Sequence, residues 1–426
     1  MYIEFFPFSL PRRRLFTLAP RADFWYGIGD SERNRQVFAV KTFKTVFLCA
    51  AALFLAVTLF LRSQLRLVPL VPADAPAPSA STALPVESEP TPEPTPIVRR
   101  DPEYFTISAI GDCTLTSHQN IGKNEKKSFA YKMGDNYGYP FSNTVSYFLD
   151  DELTVANLEC TLSDARLQSL EQFYFLCPSA YAKILTAGGV DFVNTANNHS
   201  MDFGQRGVDD TCASLEAVGV PYGVDGQAQI VTTPHGLRIG VLCAYNRYFP
   251  DVDTCVEAVK KLRSEADYVI CMFHWGKKEL VYSPSQEQID LAHACADAGA
   301  DLVYGSHAHC LQPAEKYGES IILYGMGNWS FGGSTNPRDW DTAIAQIQIC
   351  REGDGSVHNS ALQFIPCAVS SRPALEGYTG DNYNDYCPTP YEKDSEDYQR
   401  VMSKLDGSYD GGDIQVDYSN WYSSWG

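Results

Sequence analysis

The sequence predicts a layered α/β domain carried behind a single transmembrane helix. Three observations carry this reading. From residue 103 onward, short apolar runs of strand length alternate with amphipathic helical stretches, the order that builds sheets covered by helices. Upstream, Thr45 to Leu61 contains no charged residue. Between the two, prolines recur from Pro69 to Pro102. Such a segment favours polyproline II and cannot pack a core, so it reads as a semi-rigid spacer.

Composition sets the outer limits. The chain has 426 residues, of which 44% are hydrophobic and 20% charged, enough for a large core in one or two domains plus appendages. A net charge of −19 argues against a nucleic-acid binder, because the phosphate backbone selects basic surfaces. An anionic substrate stays open, since a metal ion supplies positive charge locally. The 13 cysteines include no CxxC pair, so neither a zinc knuckle nor a thioredoxin-type motif is indicated. Cys243 and Cys271 lie in apolar stretches and read as buried thiols; one or two disulfides are compatible with an exported domain.

Residues 1–44 are basic, with Arg12, Arg13, Arg14, Arg21, Lys41 and Lys44 among them. The uncharged run that follows is at the short end of a membrane span, and Lys44 and Arg62 lengthen it by snorkelling. The basic side comes first, so the N-terminus is expected in the cytoplasm and the rest of the chain outside. A cleaved signal peptide is the rival reading, but 44 residues is long for its leading segment and no small-residue cleavage site stands out. The expected organisation is therefore a cytoplasmic segment (1–44), a membrane anchor (45–66), a Pro-rich linker (67–102), a working domain (103–370) and an acidic, Tyr-rich tail of weak order (371–426).

Within the domain, Tyr104–Ile110 reads as a strand ending in Gly111-Asp112, and Thr144–Leu149 as a short helix. Leu153–Leu158 is a strand ending at Glu159, Ala180–Ala187 is helical, and Val190–Val193 is a strand that stops at Asn194. Gly207–Val218 is helical, with Val208, Cys212, Leu215 and Val218 on one face. Leu237–Ala244 and Asp267–Phe273 are strands, the second ending at His274. Glu287–Ala298 is a helix; Asp301–Tyr304, Ile321–Tyr324 and Thr342–Ile349 are β segments.

The strand ends carry chemistry. They hold Asp112, Glu159, Asn198 with His199, His274, and the loop Ser306-His307-Ala308-His309. Each follows an apolar run, which places it at the carboxyl edge of a sheet, where open α/β sheets bind ligands. Two carboxylates, one amide and three imidazoles are mixed hard and borderline donors that suit Mn, Fe or Zn better than Ca. Six groups exceed the needs of one ion and point to two, about 3.5–4 Å apart, the arrangement that clamps a phosphoryl group. His307 and His309 can offer their rings to different ions, which leaves His199 as a candidate proton donor to a leaving group. His118, His235, His293 and His358 do not share the pattern and read as surface or loop histidines.

The stretches AIGDCTL, VANLECTLS, NTANNHSMDFG, MFHWGKKE, GSHAHCLQP and YGMGNWSFGG resemble, in order, the motifs of the bacterial capsule-synthesis protein CapA family, over roughly Tyr104 to Pro366. That family is associated with poly-γ-glutamate capsules and belongs to the calcineurin-like metallophosphatase superfamily. The resemblance implies a two-sheet β-sandwich flanked by helices, with metals at one edge. It further implies that Asp112 and His309 bind one metal, that Glu159 bridges both, and that Asn198, His274 and His307 hold the second, with His199 as catalytic acid. Gly327-Asn328 matches the family's Gly-Asn-Phe motif with Trp329 in place of Phe, a structural role. Asp112-Cys113-Thr114 departs from the superfamily's Asp-x-His, and Glu159 stands where the bridging residue is usually Asp. The first metal is left with fewer ligands, and Thr114 either ligates through its hydroxyl or leaves room for water or substrate.

Two functions compete. One is a membrane-anchored, extracytoplasmic dimetal hydrolase, phosphoesterase-like, that acts on poly-γ-glutamate, another cell-envelope polymer or a phosphorylated precursor. The other is a non-catalytic polymer-binding component of a poly-γ-glutamate synthase or export complex, with membrane synthase subunits as partners; Lys123, Lys126, Lys127 and Lys132 would bind the anionic polymer. Hydrolysis of γ-glutamyl amide bonds would use the same metals. Nucleic acid is not an expected partner.

Overall fold

The structure, a computed structural model, describes residues 101–246, 249–372 and 383–409. The expected N-terminal segment, anchor and nearly all of the linker lie outside the described residues. Among those described, no helix is long and apolar enough to cross a membrane. Every described residue belongs to the second of two compact units, Pro94–Gly426.

In chain order the elements are β1 (Glu103–Thr114), α1 (Phe129–Met133), β2 (Leu153–Leu158), β3 (Thr161–Leu162), β4 (Leu176–Cys177), α2 (Ala182–Ala187), β5 (Phe192–Asn194), α3 (Gly204–Val218) and β6 (Tyr222–Gly223). There follow β7 (Gln227–Thr232), β8 (Arg238–Ala244), α4 (Val252–Glu265), β9 (Tyr268–His274), α5 (Gln286–Asp297) and β10 (Leu302–Ser306). The chain then runs through β11 (Ala314–Tyr317), β12 (Ser320–Leu323), β13 (Asn328–Phe331), β14 (Asp341–Arg351), β15 (Val357–Ala368), β16 (Thr389–Pro390) and α6 (Glu396–Leu405). The stretch expected as a helix near residue 144 is a single 3-10 turn, Val145–Tyr147.

Apart from β3 and β4, which pair with each other, these strands form two large mixed sheets. The first runs β16-β15-β14-β1-β2-β5-β6, with β13 also paired to β1; the second runs β11-β12-β10-β9-β8-β7. Alternation along each strand sends successive side chains to opposite faces, and the cores follow that rule. Ile107 and Val155 of the first sheet share one core with Val241, Ile270 and Tyr304 of the second. The other face of the first sheet, including Ile110 and Cys113, packs with Ile184 of α2 and Leu215 of α3. The other face of the second sheet, including Leu242 and Cys271, packs with Val259 of α4 and Leu291 of α5. The α/β expectation holds, as sheet against sheet with helices outside.

The β1–β2–β5 and β9–β10 pairs are parallel, so their carboxyl ends emerge together. Tyr304 on β10 donates its hydroxyl to the Ile110 carbonyl on β1 (2.7 Å) and pins the two sheets where they do. The strand β1 runs two residues beyond Asp112, past the end expected for it, because β13 comes alongside. The Asp112 N–H donates to the Gly327 carbonyl (2.8 Å), and a Cβ on Gly111 would sit 2.2 Å from that oxygen. Only glycine admits this approach.

Weak order was expected from residue 371 onward. Between 383 and 409 the structure overturns it. Val401 and Leu405 of α6 join the core between the sheets, and Lys404 is 2% exposed with its ammonium 2.8 Å from carboxylates of both Asp339 and Asp341. The acidic composition hid a helix whose few apolar and basic residues do the docking. The described cysteines are all buried except Cys212.

One half-buried acid outside the site makes a testable prediction. Burial lifts the Asp151 carboxyl to about 7, against hydrogen bonds from Ser108 and Thr154 that lower it. Its ordinary value is about 3.9. The folded protein therefore holds this proton more tightly than the unfolded chain, and the stability it confers is lost as pH rises from about 4 through about 7. Asp151→Asn, which imitates the neutral acid, is expected to raise the Tm at pH 8 by a few degrees and to leave it near the parent's at pH 4. An equal gain at both pH values would reject the assignment.

Candidate metal centre

The carboxyl ends of β1, β2, β9 and β10 bring together residues far apart in sequence. Ligand atoms of Asp112, Glu159 and His274 all lie within 4.8 Å of one another, and all three residues are buried. His307 Nδ1 faces His274 Nε2 at 3.1 Å, and His309 Nδ1 lies 3.5 Å from Asp112 Oδ2. His199 Nε2 is 3.9 Å from Glu159 Oε1. Asn198 stands at the rim, where it lines an open groove of about 400 Å³ together with His199, His309 and Asn328. All seven residues singled out in the sequence meet on this one edge. Two of them, Asp112 and His274, are the last or near-last residues within their strands rather than members of the loops beyond.

Two backbone features shape the edge. His307 and His309 adopt φ of 94° and 52°, a conformation that costs a non-glycine residue on the order of 1 kcal/mol or more. The chain thereby doubles back past β10, and the His307 N–H donates to Asp112 Oδ2 (3.2 Å). Asn157 on β2 organises the interior. Its amide donates to Asp112 Oδ1 (2.9 Å), and its carbonyl oxygen accepts from Asn194 (3.1 Å) and Asn197 (3.2 Å). The Asn197 amide also donates to the Leu158 carbonyl (2.8 Å), next to Glu159.

Electrostatics point to a cation. Glu159 is fully buried, yet neither carboxylate oxygen has a hydrogen-bond partner, and the buried Asn198 Oδ1 has none either. Burial and then the neighbouring Asp112 charge hold the Glu159 carboxyl well above its usual range; burial likewise raises Asp112. Burial depresses His307 and His309 to about 4 and His274 well below the ordinary imidazole range. Three neutral rings beside two buried acids, one of them without a hydrogen-bond partner, is a poor arrangement for a folded protein by itself. It is the donor set a borderline divalent ion requires, so these residues fit a metal.

Several partners were missed in the sequence. Asp202 Oδ2 lies 2.9 Å from His199 Nδ1, which fixes that ring and directs Nε2 toward Glu159. The spacing His199-x-x-Asp202 was visible, but nothing local marked it as a turn that closes on itself. Asn328 is more than structural, because its side-chain oxygen meets His309 Nδ1 at 2.9 Å. Ser306 Oγ meets His274 Nδ1 at 2.9 Å. Thr114 is spent on scaffolding: its buried hydroxyl donates to the Glu159 carbonyl (3.0 Å). His118, expected as an ordinary loop residue, lines the same groove.

Comparison with known proteins gives the chain a family. The family model described as "Bacterial capsule synthesis protein PGA_cap" matches residues 106–332, a segment that contains every residue of the centre. The PGA biosynthesis protein CapA of Bacillus subtilis is 31% identical over 195 residues, 41% of this chain and 50% of that protein. The capsule biosynthesis protein CapA of Bacillus anthracis is 26% identical over 286 residues, 61% of this chain and 67% of that protein. A probable polyglutamine synthesis accessory protein of Mycobacterium tuberculosis is 24% identical over 253 residues, 51% of this chain and 66% of that protein. The chain thus spans about half the length of the first of these relatives. With more than half of its residues inside the family model, the chain belongs to the bacterial capsule synthesis protein family PGA_cap.

Proposed function

We propose that this chain is a metal-dependent, phosphoesterase-like hydrolase of the calcineurin-like type that acts in poly-γ-glutamate or cell-envelope polymer biosynthesis, held at the membrane by residues 45–66 with its domain outside. The observation that carries it is Glu159, a buried carboxylate with no hydrogen-bond partner, set 3.7 Å from His274 Nε2 and beside Asp112. The biosynthetic setting is supported by the relatives, which are named as PGA and capsule biosynthesis proteins.

Asp112 and His309 would hold one ion, Asn198, His274 and His307 the other, and Glu159 both. When bound, the ions supply Lewis-acid polarisation of a phosphoryl or carbonyl oxygen and neutralise developing charge. His199 acts from the chain's side. Asp202 holds its Nδ1, the ring packs edge-on to Phe175 (4.5 Å), and Nε2 is left to give a proton to the leaving group. Arg338 and Glu279 flank the groove, which also holds His199.

The alternative, a polymer-binding component without catalysis, relies on the lysines near α1. One of them is already engaged: Lys127 pairs with Glu125 (3.4 Å) and lies over the Tyr383 ring.

The test is metal content of the full-length protein, followed by turnover of a chromogenic phosphodiester and a γ-glutamyl peptide. His199→Ala is expected to lower turnover by roughly 10²–10⁴-fold with the metal retained. Unchanged turnover would remove His199 from the chemistry. A protein that binds no metal would end the hydrolase reading and leave polymer binding in front.

A further inference from the structure

Three potential ligands converge at the turn end of the β14–β15 hairpin, outside the residues that the family model matches. Cys350 and His358 are direct partners across the antiparallel ladder, so their side chains leave the same face of the sheet. Glu352 lies two residues beyond Cys350 and shares that face. Its backbone is fixed by the turn, where the Glu352 N–H donates to the Ser356 carbonyl and the Gly355 N–H to the Glu352 carbonyl (both 2.8 Å).

The distances approach those of a coordination shell. Cys350 Sγ is 3.5 Å from Glu352 Oε1, and His358 Nε2 is 3.8 Å from the same oxygen. The ligand atoms of all three lie within 4.8 Å of one another. Bonds of about 2.0 Å to nitrogen and oxygen and about 2.3 Å to sulfur give a tetrahedral site edges of about 3.3–3.5 Å. Closing the site takes side-chain rotation on a framework already in register. Cys350 is buried, whereas the Glu352 and His358 side chains are 42% and 44% exposed, which leaves the fourth position open to water. The guanidinium of the intervening Arg351 pairs with Glu103 (2.6 Å).

We propose that Cys350, Glu352 and His358 form a second metal site, separate from the strand-end centre, for a zinc-class divalent cation with water as its fourth ligand. Binding releases the Cys350 thiol proton to solvent and forms one metal–sulfur, one metal–oxygen and one metal–nitrogen bond. The mixed thiolate, imidazole and carboxylate set selects zinc-like ions over calcium or magnesium. The bound ion ties the hairpin turn beside the first residues of β1, because Tyr104 is the partner of Cys350 on its other side.

Cobalt(II), titrated into metal-free full-length protein, is the probe. The ligands assigned to the strand-end centre include no thiol, so a thiolate-to-cobalt charge-transfer band that disappears in Cys350→Ser reports on the hairpin site. The band is expected in the parent, displaced by zinc and absent from Cys350→Ser. In His358→Ala, a change at a half-exposed position that keeps the fold testable if the cysteine variant misfolds, cobalt affinity is expected to fall roughly tenfold or more. No band in the parent, a band that survives Cys350→Ser, or unchanged affinity in His358→Ala would each overturn the proposal.

Discussion

Glu159→Gln is expected to abolish metal binding at the strand-end centre and to leave the metal-free fold at least as stable as the parent. The two effects have one origin. Glu159 places a carboxylate in a fully buried position without a hydrogen-bond donor, and burying an unpaired charge is among the most unfavourable choices a folded chain can make. An amide of nearly the same shape removes the charge. It also removes the anionic donor that two ions would share. Ligand linkage makes this measurable: at a metal concentration about a thousandfold above Kd, the parent gains about 4 kcal/mol of stability, and the variant gains none from this site. Thermal unfolding with and without added Mn or Zn reads both halves. A variant that keeps the metal-induced shift in Tm would show that Glu159 is not a ligand. A metal-free variant much less stable than the parent would show that the carboxylate has a structural partner after all.

Lys404→Met is expected to destabilise the domain by about 3–5 kcal/mol, the usual result of removing one member of a buried ionic cluster. The ammonium lies 2.8 Å from both oxygens of Asp339 and from Asp341 Oδ2. The two acids respond differently to it. At Asp341 burial works against ionisation but is outweighed by Arg400, which donates at 2.7 and 2.8 Å, and by Lys404, so the carboxyl is held below its usual value. At Asp339 burial prevails over Lys404, with Asp341 adding repulsion, and the carboxyl is raised. Asp339 therefore has the most to lose. It also lines the groove beside His309 and Arg338, so the variant is expected to loosen that wall and weaken substrate binding. Denaturant unfolding gives the energy, and KM against kcat gives the second effect. A loss under about 1 kcal/mol would place the cluster among the weak surface pairs.

The ligand positions were legible because they are a local property. An apolar run followed by Asn, Asp, Glu or His marks a strand end wherever it occurs, and parallel connections put strand ends on one edge. Asp112, Glu159, Asn198, His274, His307 and His309 needed nothing more to be placed there. The helix α4 and the strand β15 also went unassigned, and two of the elements that escaped have weak local signals. β7 is half-exposed throughout, and α6 is mostly polar with only Val401, Lys404 and Leu405 buried.

Residue chemistry and hydropathy rhythm thus settled which side chains face the sheet edge and what class of ion they suit. Which of those side chains hold one another in place was decided by packing. Asn157 orders Asp112 across 45 residues, Asn328 orients His309 across 19, and Lys404 reaches Asp339 across 65. Cys350 meets His358 only through the register of a hairpin. Apolar periodicity is written into neighbours three or four residues apart, whereas a buried polar pair exists only once two distant segments have shed water together.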